Sequence, residues 1–366
     1  MGRARLRDLG IAIGILPAGR YNAITDVPGV CVGHCTLIYD KPRVARTGIT
    51  VILPKEGKIW EENIFAACHV LNGNGEMTGT QWLDESGQLT SPIALTNTHQ
   101  VGLVRDVLVD YEVQSGYKGG WILPVVAETY DGWLNDINAF HLTKSHVYEA
   151  IFNAQGGPVQ EGNVGGGTGM ICHDFKGGIG TASRLVVNRN APLGHYTVGA
   201  LVQANHGDRH LLRVDGVPVG REIGPEITPM PWDEPQQAGS VIAILGTDAP
   251  LLPVQCRRLA QRATIGLART GCVGHNGSGD LFLAFSTAND VPVGQTTPYE
   301  VKMLPHNQLN PLFEAAAEAV EEAVLNALVA AETMTGYRGR TAHALPLDLL
   351  QQVMARYRPR PPDGLG

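Results

Sequence analysis

The junction at Gly239-Ser240 constrains this chain more than any other stretch of its sequence. Residues 224–239, which end at this junction, carry four prolines with acidic residues between them, so we expect them to run extended and exposed. Residues 241–245, directly after the serine, form a continuous apolar run rich in β-branched side chains. Such a run is typical of a strand buried on both faces. Ser240 is therefore predicted to be the first residue of a core strand, behind an extended arm that can be cut.

This placement gives Ser240 a possible chemical role. If the bond before it were cut, Ser240 would carry both a hydroxyl nucleophile and a free α-amine. An unperturbed α-amine titrates near ~7.7–8.0, so it can act as the general base for its own hydroxyl. Gly239 suits such a cut, because without a Cβ it lets the hydroxyl approach the preceding carbonyl. A domain linker that ends in an ordinary serine explains the same residues, so the junction alone leaves both interpretations open.

Composition indicates a globular protein without a nucleic-acid surface. The 366 residues are 43% hydrophobic and 17% charged, which fits one large domain or two. Acidic residues exceed basic ones by 35 − 28 = 7, and the chain has no long basic tract, so we expect no nucleic-acid partner. No apolar run reaches the ~18 residues of a membrane span. Residues 11–16 loosely imitate a signal peptide, but Pro17 ends the run, and we expect a cytoplasmic protein.

The six cysteines are scattered along the chain and do not indicate a disulfide framework. Cys31, His34 and Cys35 form the one cluster with a metal-like spacing. They lack a second ligand pair, so we predict no metal there and interpret Cys31 as a core residue. We expect no cofactor.

Two polar side chains follow predicted strands. Glu128 comes directly after the apolar run at residues 121–127, where an acid can bind a ligand cation or cap a helix. Asn205 follows the predicted strand at residues 196–203, where an amide can donate to an oxyanion or form a turn. Both interpretations stay open for each residue.

Ser278 and Asp280 flank the entry to a further predicted strand at residues 281–286. We expect this strand to lie beside the one that Ser240 begins, since strands close in sequence usually neighbour each other. Between the two strands, a single helix is predicted from residues 248–250 onward, with Val254 and Ile265 on its apolar face.

Glycine-rich stretches at residues 162–170 and 176–183 could suggest a phosphate-binding loop. They lack the Gly-Lys-Ser/Thr ending and the strand-to-helix context of such loops, so we interpret the pair as a hairpin. A last long helix is predicted from Asn310 to about Met334, and the tail from Pro359 onward is predicted to be loose. Strands and long helices alternate throughout, which favours layered α and β structure.

Short motifs in a fixed order span nearly the whole chain, at residues 22–30, 124–129, 134–138, 162–170, 212–220, 246–251, 278–280 and 326–336. In this order they resemble the L-aminopeptidase/D-amino-acid esterase-amidase family, which includes the β-aminopeptidases, among the N-terminal-nucleophile-like hydrolases. The resemblance implies an α+β fold, a four-layer αββα sandwich made as one precursor. The precursor would cut itself into an α chain of residues 1–239 and a β chain of residues 240–366, which assemble as a tetramer of αβ heterodimers.

The resemblance also implies roles for individual residues. Ser240 matches the nucleophile of the family, and Asn205 matches the residue whose amide helps form the oxyanion hole. Ser278 and Asp280 match the pair that supports self-cleavage and positions the new amine. Glu128 matches the acid that receives the free amino group of the substrate, which would be a peptide, amide or ester of an L-α-, D- or β-amino acid. The choice among these stays open.

Three other functions are considered. Nylon-oligomer hydrolases and ornithine acetyltransferases resemble this scaffold but use a threonine nucleophile, so amide-oligomer hydrolysis and acyl transfer remain alternatives. An uncleaved, non-catalytic binding protein is the third. An α/β-hydrolase is disfavoured, because Ser278 lacks the glycines two residues before and two residues after it that a nucleophile elbow needs.

Overall fold

The computed structural model describes residues 3–189, 191–232 and 239–357, in which strands and helices alternate. The strands are β1 (Cys31–Tyr39), β2 (Ala45–Leu53), β3 (Glu62–Gly73), β4 (Gln88–Leu89), β5 (Ile93–Asn97), β6 (Val125–Thr129), β7 (Ile171–Cys172), β8 (Phe175–Lys176), β9 (Gly178–Val187), β10 (His195–Asn205), β11 (Ser240–Thr247), β12 (Gly279–Pro292), β13 (Met334–Thr335) and β14 (Thr341–Ala342). The helices are α1 (Thr80–Ser86), α2 (Val101–Gln114), α3 (Lys144–Phe152), α4 (Val219–Glu222), α5 (Pro253–Ala260), α6 (Ala263–Arg269), α7 (Asn310–Ala330) and α8 (Leu347–Tyr357).

Two sheets form the inner layers of the fold. One has four strands in the order β1-β2-β5-β6, and the other has six in the order β4-β3-β12-β11-β10-β9. Most neighbouring strands are antiparallel, but β5 with β6 and β11 with β12 run parallel. Helices α2 and α3 pack on the outer face of the four-stranded sheet, and α5 to α7 pack on the outer face of the six-stranded sheet. The predicted four-layer αββα sandwich is confirmed.

Strand β11 shows how the sequence builds these layers. Val241, Ala243 and Leu245 belong to the hydrophobic cluster under the helices, whereas Ile242 and Ile244 belong to the cluster between the two sheets. A strand places successive side chains on opposite faces, so a continuous apolar run is what a strand covered on both faces requires. The predicted buried strand at residues 241–245 is therefore confirmed.

The long helix α7 lies very close to β9 because glycine and alanine form the contact. A Cβ built on Gly180 would stand 1.9 Å from the carbonyl oxygen of Ala323, which no larger residue could avoid. The described residues contain no helix that is both long and apolar enough to cross a bilayer.

A buried ionic cluster joins the N-terminal segment to α7. The guanidinium of Arg184 is fully buried and pairs with Glu318 at 2.8 Å and Glu322 at 2.6 Å, and Arg7 pairs with Glu322 at 2.7 Å. Burial alone would raise the pKa of Glu322, but the hydrogen bond from Arg7 and the charge of Arg184 outweigh it and lower that pKa. The charges are thus compensated inside the core.

Several predicted elements have different bounds. The strand predicted at residues 121–127 begins only at Val125, and Trp121 is 59% exposed, because Pro124 cannot donate to a neighbouring strand. The single helix predicted after residue 248 is two helices, α5 and α6. Val254 and Ile265, predicted on its buried face, are 56% and 48% exposed.

Other differences concern loops. The long helix predicted to reach Met334 ends at Ala330, and Met334 begins the short strand β13. The two glycine-rich stretches are joined by a hairpin, as predicted, but its strands β7 and β8 are only two residues long; next to them the N–H of Gly177 donates to the carbonyl of Met170 at 2.9 Å, and Gly162 forms a bridge with Ile179. Cys31, predicted in the core, is only half-buried.

The segment before Ser240 is also less extended than predicted. Residues 224–228 form a turn, in which Thr228 is buried and donates its backbone N–H to the carbonyl of Gly224 at 3.1 Å. Residues 233–238 and the tail from Pro359 onward lie outside the described residues.

Glu112 on α2 should make the stability of the protein depend on pH. It is 1% exposed, its Oε1 has no hydrogen-bond partner among the described residues, and burial raises its pKa to about 8. The pKa of a glutamate in the unfolded chain is about 4.3, well below the pKa of Glu112 in the folded protein. As pH rises between these two pKa values, the unfolded chain loses the proton first, so the free energy of unfolding falls.

We therefore expect Glu112→Gln to unfold at a higher temperature than the wild type at pH 9, with a gain of about 2–4 kcal/mol, and to match it near pH 4. Thermal denaturation followed by circular dichroism at both values measures this. Asp106→Asn, an exposed acid on the same helix, is the matched control and should change little at either pH. A gain that is equal at both pH values would contradict the explanation.

Candidate active site

Ser240 begins β11, between the end of β10 and the start of β12. Its backbone is paired with Asn205 in the antiparallel β10–β11 ladder and with Gly279 in the parallel β11–β12 ladder. By alternation its side chain shares the face of Ile242, which points into the space between the two sheets. The predicted position of Ser240 at the start of a core strand is confirmed, and so is the predicted pairing of its strand with the one that follows Ser278.

The side-chain amide of Asn205 is held in one orientation beside Ser240. Its Oδ1 accepts a hydrogen bond from the backbone N–H of Ile171 at 2.8 Å, and its Nδ2 donates to the carbonyl of Tyr130 at 3.1 Å. Because a backbone N–H can only donate, the atom facing Ile171 must be the amide oxygen. The amide nitrogen therefore lies on the side of Tyr130, and Asn205 lines a cavity beside Gly239, where a donor to an oxyanion would be placed.

The carbonyl of Gly239, on the bond before Ser240, also has a donor. The backbone N–H of Gly279 donates to this carbonyl oxygen at 3.1 Å. A Cβ built on Gly239 would lie 3.1 Å from both the carbonyl oxygen of Asn205 and the Cα of His206, closer than most side chains tolerate. The small residue thus lets this carbonyl pack against the chain that carries Asn205.

Ser278 and Asp280 form a hydrogen-bonded pair at the start of β12. The hydroxyl of Ser278 donates to Oδ1 of Asp280 at 2.6 Å, and the side-chain amide of Asn72 donates to Oδ2 at 2.9 Å. Burial raises the pKa of Asp280, while these hydrogen bonds and one from the backbone of Val241 oppose part of that rise. Ser278 and Asp280 therefore lie on either side of Gly279, the residue of β12 that pairs with Ser240.

The loop after β3 supports this pair. Asn74 donates its backbone N–H to the carbonyl of Ser278 at 3.3 Å and its side-chain amide to the carbonyl of Gly277 at 2.8 Å. The sequence analysis did not identify Asn72 or Asn74 as partners of Asp280 and Ser278. The alternating Asn-Gly-Asn-Gly pattern was the available signal.

Glu128 is the acidic residue of β6, and it is 3% exposed. Its Oε1 accepts the backbone N–H of Glu76 at 3.0 Å, and its Oε2 accepts the hydroxyl of Thr98. Burial raises the pKa of Glu128, and these hydrogen bonds counteract it in part. Within residues 3–189, 191–232 and 239–357 no lysine or arginine forms an ion pair with it. Such a carboxylate can pair with a cation that comes from outside the chain.

Gly75 lies between Glu128 and the strand beside Ser240. A Cβ built on this glycine would stand 3.3 Å from Oε1 of Glu128 and 3.2 Å from the Cα of Gly279. The fold thus brings the predicted amine-binding acid and the predicted nucleophile strand to the same end of the sandwich.

A cavity opens beside Gly239, and sequence reasoning did not identify its walls. Its lining includes Asn205 and Ser278 together with Tyr130, Trp133 and Trp232. The two tryptophans meet edge to face, with ring centroids 5.6 Å apart. Such a wall can receive an apolar side chain of a substrate.

Lys176 stabilises the turn that leads to Ile171. Its ammonium is fully buried and donates to the carbonyls of Met170 at 2.9 Å and Gly177 at 2.8 Å. Because Ile171 holds the amide of Asn205, Lys176 supports the orientation of that amide indirectly. Burial lowers the pKa of this lysine to about 7.

The chain is similar to characterised hydrolases over almost its full length. The Beta-peptidyl aminopeptidase BapA of Sphingosinicella microcystinivorans is 47% identical over 371 residues, covering 97% of this chain and 92% of the relative. The structure of a Burkholderia sp. beta-aminopeptidase matches with a TM-score of 0.91 and 51% identity, covering 98% of this chain and 100% of the other.

A second structure, the L-aminopeptidase D-Ala-esterase/amidase from Ochrobactrum anthropi, matches with a TM-score of 0.88 and 45% identity, covering 96% and 98% of the two chains. It is described as a variant of the Ntn hydrolase fold. The model of peptidase family S58 matches residues 22–342. The chain belongs to peptidase family S58.

Proposed function

We propose that this family S58 hydrolase cuts its own chain between Gly239 and Ser240 and then acts as an aminopeptidase and amidase with Ser240 as its nucleophile. The observation that carries the proposal is the position of Ser240, between the oriented amide of Asn205 and a Gly239 carbonyl that already accepts a hydrogen bond. The names of the relatives, a beta-peptidyl aminopeptidase and an L-aminopeptidase D-Ala-esterase/amidase, agree with this activity. The Ochrobactrum protein is further described as a prototype for the serine aminopeptidases.

Self-cleavage would begin with attack of Ser240 Oγ on the carbonyl carbon of Gly239. The N–H of Gly279 would stabilise the negative charge that forms on this carbonyl oxygen. The carbon–nitrogen bond then breaks, and the nitrogen takes up the proton that the hydroxyl released. The product is an ester between Gly239 and Oγ together with a free α-amine. Water hydrolyses the ester to a Gly239 carboxylate and restores the hydroxyl.

The pair of Ser278 and Asp280 has two tasks in this proposal. During self-cleavage it would relay the hydroxyl proton toward the leaving nitrogen, because the carboxylate already accepts a hydrogen bond from Ser278. After the cut it would hold the new α-amine of Ser240 next to its own hydroxyl. In each catalytic cycle that amine would accept the hydroxyl proton and later give it to the leaving amine.

Hydrolysis of a substrate would repeat the same attack with an external acyl group. Oγ bonds to the carbonyl carbon of the amide or ester, and the oxyanion rests on Nδ2 of Asn205 and a backbone N–H. The leaving amine or alcohol departs with the proton, and water then releases the acyl group from Oγ. Glu128 would bind the free amino group of the substrate, which accounts for a buried carboxylate without an internal cation.

Both halves of a cut chain would remain together. The six-stranded sheet would then contain β3, β4, β9 and β10 from residues 1–239, and β11 and β12 from residues 240–366. The new strand end at Ser240 would lie in the middle of this sheet, hydrogen-bonded on both sides. We therefore propose a single αββα domain made of two chains. We also propose that these heterodimers assemble as a tetramer, and light scattering would measure the mass of that assembly.

The proposed compartment is the cytoplasm. All six cysteines are free thiols, as a reducing environment would maintain. Cell fractionation with an antibody against the purified protein would test this.

Intact-mass measurement and N-terminal sequencing of the purified, folded protein test the central proposal. We expect two chains, of 239 and 366 − 239 = 127 residues, the smaller beginning Ser-Val-Ile-Ala. A single chain of 39.1 kDa in a folded sample would contradict the mechanism and favour a binding protein. Assays with aminoacyl amides, with and without an added amine acceptor, would separate hydrolysis from acyl transfer.

A further inference from the structure

Three buried side chains with metal-binding atoms meet beside the candidate active site. Cys172 is the last residue of β7, His173 begins the turn to β8, and His206 directly follows Asn205. Each can present one ligand atom, a sulfur or a ring nitrogen, such that all three atoms lie within 4.8 Å of one another. The Sγ of Cys172 is 4.0 Å from Nδ1 of His206, and the two imidazole centroids are 5.4 Å apart.

The imidazole of His173 has a defined lone pair. Its Nδ1 is 3.1 Å from the carbonyl oxygen of Asp208, and a carbonyl can only accept, so Nδ1 carries the proton. Nε2 is then an acceptor. Among the described residues neither Nε2 of His173 nor Nε2 of His206 has a hydrogen-bond partner, although the two residues are only 0% and 3% exposed.

An unpartnered buried polar atom is unfavourable by about 1–3 kcal/mol, so two of them in one buried cluster call for an explanation. A metal ion supplies one, since the hydrogen bond from Nδ1 to a carbonyl is the arrangement that orients a histidine toward a metal. The backbone supports the same geometry. His173 adopts a φ of 48°, and its N–H donates to the carbonyl of His206 at 2.7 Å.

We propose that Cys172, His173 and His206 form a binding site for a thiophilic divalent cation of the Zn²⁺ type. One thiolate and two imidazoles are ligands that zinc prefers, and the thiol would release its proton to solvent on binding. Tetrahedral zinc places such ligand atoms about 3.4–3.6 Å apart. The three side chains therefore need to move together by no more than about 1 Å to reach that geometry. The ion takes no part in hydrolysis.

Binding would act on Asn205 from both sides. His206 is the next residue after Asn205, and Cys172 is the next residue after Ile171, whose N–H holds the Asn205 amide. Drawing the two ligands together would displace this amide from its position beside Ser240. If the proposed function holds, the ion is thus an inhibitor of the hydrolase.

The cavity beside Gly239 offers an entry route for the ion. Its lining includes His206 together with the carboxylates of Asp174 and Asp208. Negative charge in the lining of a cavity raises the local concentration of cations.

Titration of the metal-free, purified protein with Co²⁺ tests the site directly, because cobalt reports its ligands in the absorption spectrum. We expect one equivalent per chain, with a thiolate-to-cobalt charge-transfer band, and displacement by Zn²⁺. Cys172→Ala should abolish the band, and His173→Asn should weaken binding at least tenfold. Asparagine suits this variant because it tolerates a positive φ and can still donate to Asp208.

Cys256→Ala is the matched control, because Cys256 is another buried free cysteine outside the cluster. It should bind cobalt as the wild type does. Near-ultraviolet circular dichroism and the Tm verify that each variant is folded. No cobalt band in the wild type, or equal affinity in a folded Cys172→Ala protein, would overturn the proposal.

The inhibitory effect needs its own measurement. Zn²⁺ should slow hydrolysis of an aminoacyl amide by the wild type at least tenfold, with recovery on adding EDTA, and should leave the residual rate of Cys172→Ala unchanged. Cobalt binding without inhibition would overturn the coupling to Asn205. The cobalt titration decides on the site even if the protein shows no hydrolase activity, so failure of the proposed function and failure of the metal site remain distinguishable.

Discussion

Ser240→Ala is expected to remain a single uncut chain of 39.1 kDa and to lose hydrolysis of aminoacyl amides by about 10⁴-fold or more. The substitution removes the only atom that can bond to the Gly239 carbonyl in the proposed mechanism, and without the cut no α-amine forms. Denaturing gels and intact mass report the first effect, and initial rates at saturating substrate report the second.

Ser240→Thr is the matched variant, since it keeps a hydroxyl at the same place and a β-branched residue suits the start of a strand. We expect it to be cut, more slowly, and to regain part of the activity. A Ser240→Ala chain that is still cut after Gly239 would show that another group performs the cleavage. Equal loss in both variants would indicate a packing role for the residue.

Glu128→Gln is expected to lower kcat/KM for substrates with a free amino group by about 10²-fold and to leave self-cleavage intact. Loss of a charge-assisted hydrogen bond is worth about 1.5–3 kcal/mol, and each 1.4 kcal/mol is about tenfold in rate. Self-cleavage should continue, because the Gly239-Ser240 bond presents no free amine. Glutamine keeps the size of the side chain and an oxygen for the N–H of Glu76.

Glu76→Gln is the control for this variant. Glu76 is an exposed acid whose backbone N–H, and not its carboxylate, hydrogen-bonds to Glu128. Its negative charge contributes to raising the pKa of Glu128, so the comparison is made at a pH where Glu128 is ionised, and there the loss of Glu76 should change kcat/KM little. Rates are compared between an aminoacyl amide and the same amide with its amine acetylated. An equal loss for both substrates in Glu128→Gln would mean that the residue supports the fold and does not select the amine.

The pH dependence of these rates follows from burial. Burial raises the pKa of Glu128 in the substrate-free protein, and only its ionised form can pair with an ammonium group. The value of kcat/KM for amines should therefore fall, as pH decreases, at a higher pH than an ordinary glutamate would cause. In Glu128→Gln, the decrease of kcat/KM at low pH that comes from protonation of Glu128 should be absent. The decrease that comes from protonation of the Ser240 α-amine should remain.

The amino-acid sequence alone determined the local elements and the chemical types at the site. The prolines before Gly239 and the apolar run after Ser240 predict the strand β11, because hydrophobic pattern and backbone restrictions act within a few residues. The order of short motifs indicated the αββα class. The predicted strand start at Trp121 and the predicted burial of Val254 were wrong. A local pattern does not state which face of an element a neighbouring element covers.

Only the tertiary structure decided which side chains meet. Asn72 bonds to Asp280 across 208 residues, and Ile171 orients Asn205 across 34. The first contact exists because β3 and β12 are neighbours in one sheet, and the second because β7, outside that sheet, packs against β10. No pattern in the local sequence encodes that adjacency. It arises when apolar faces from distant segments are buried together, and the burial of Glu128 and of the Cys172 cluster follows from the same packing.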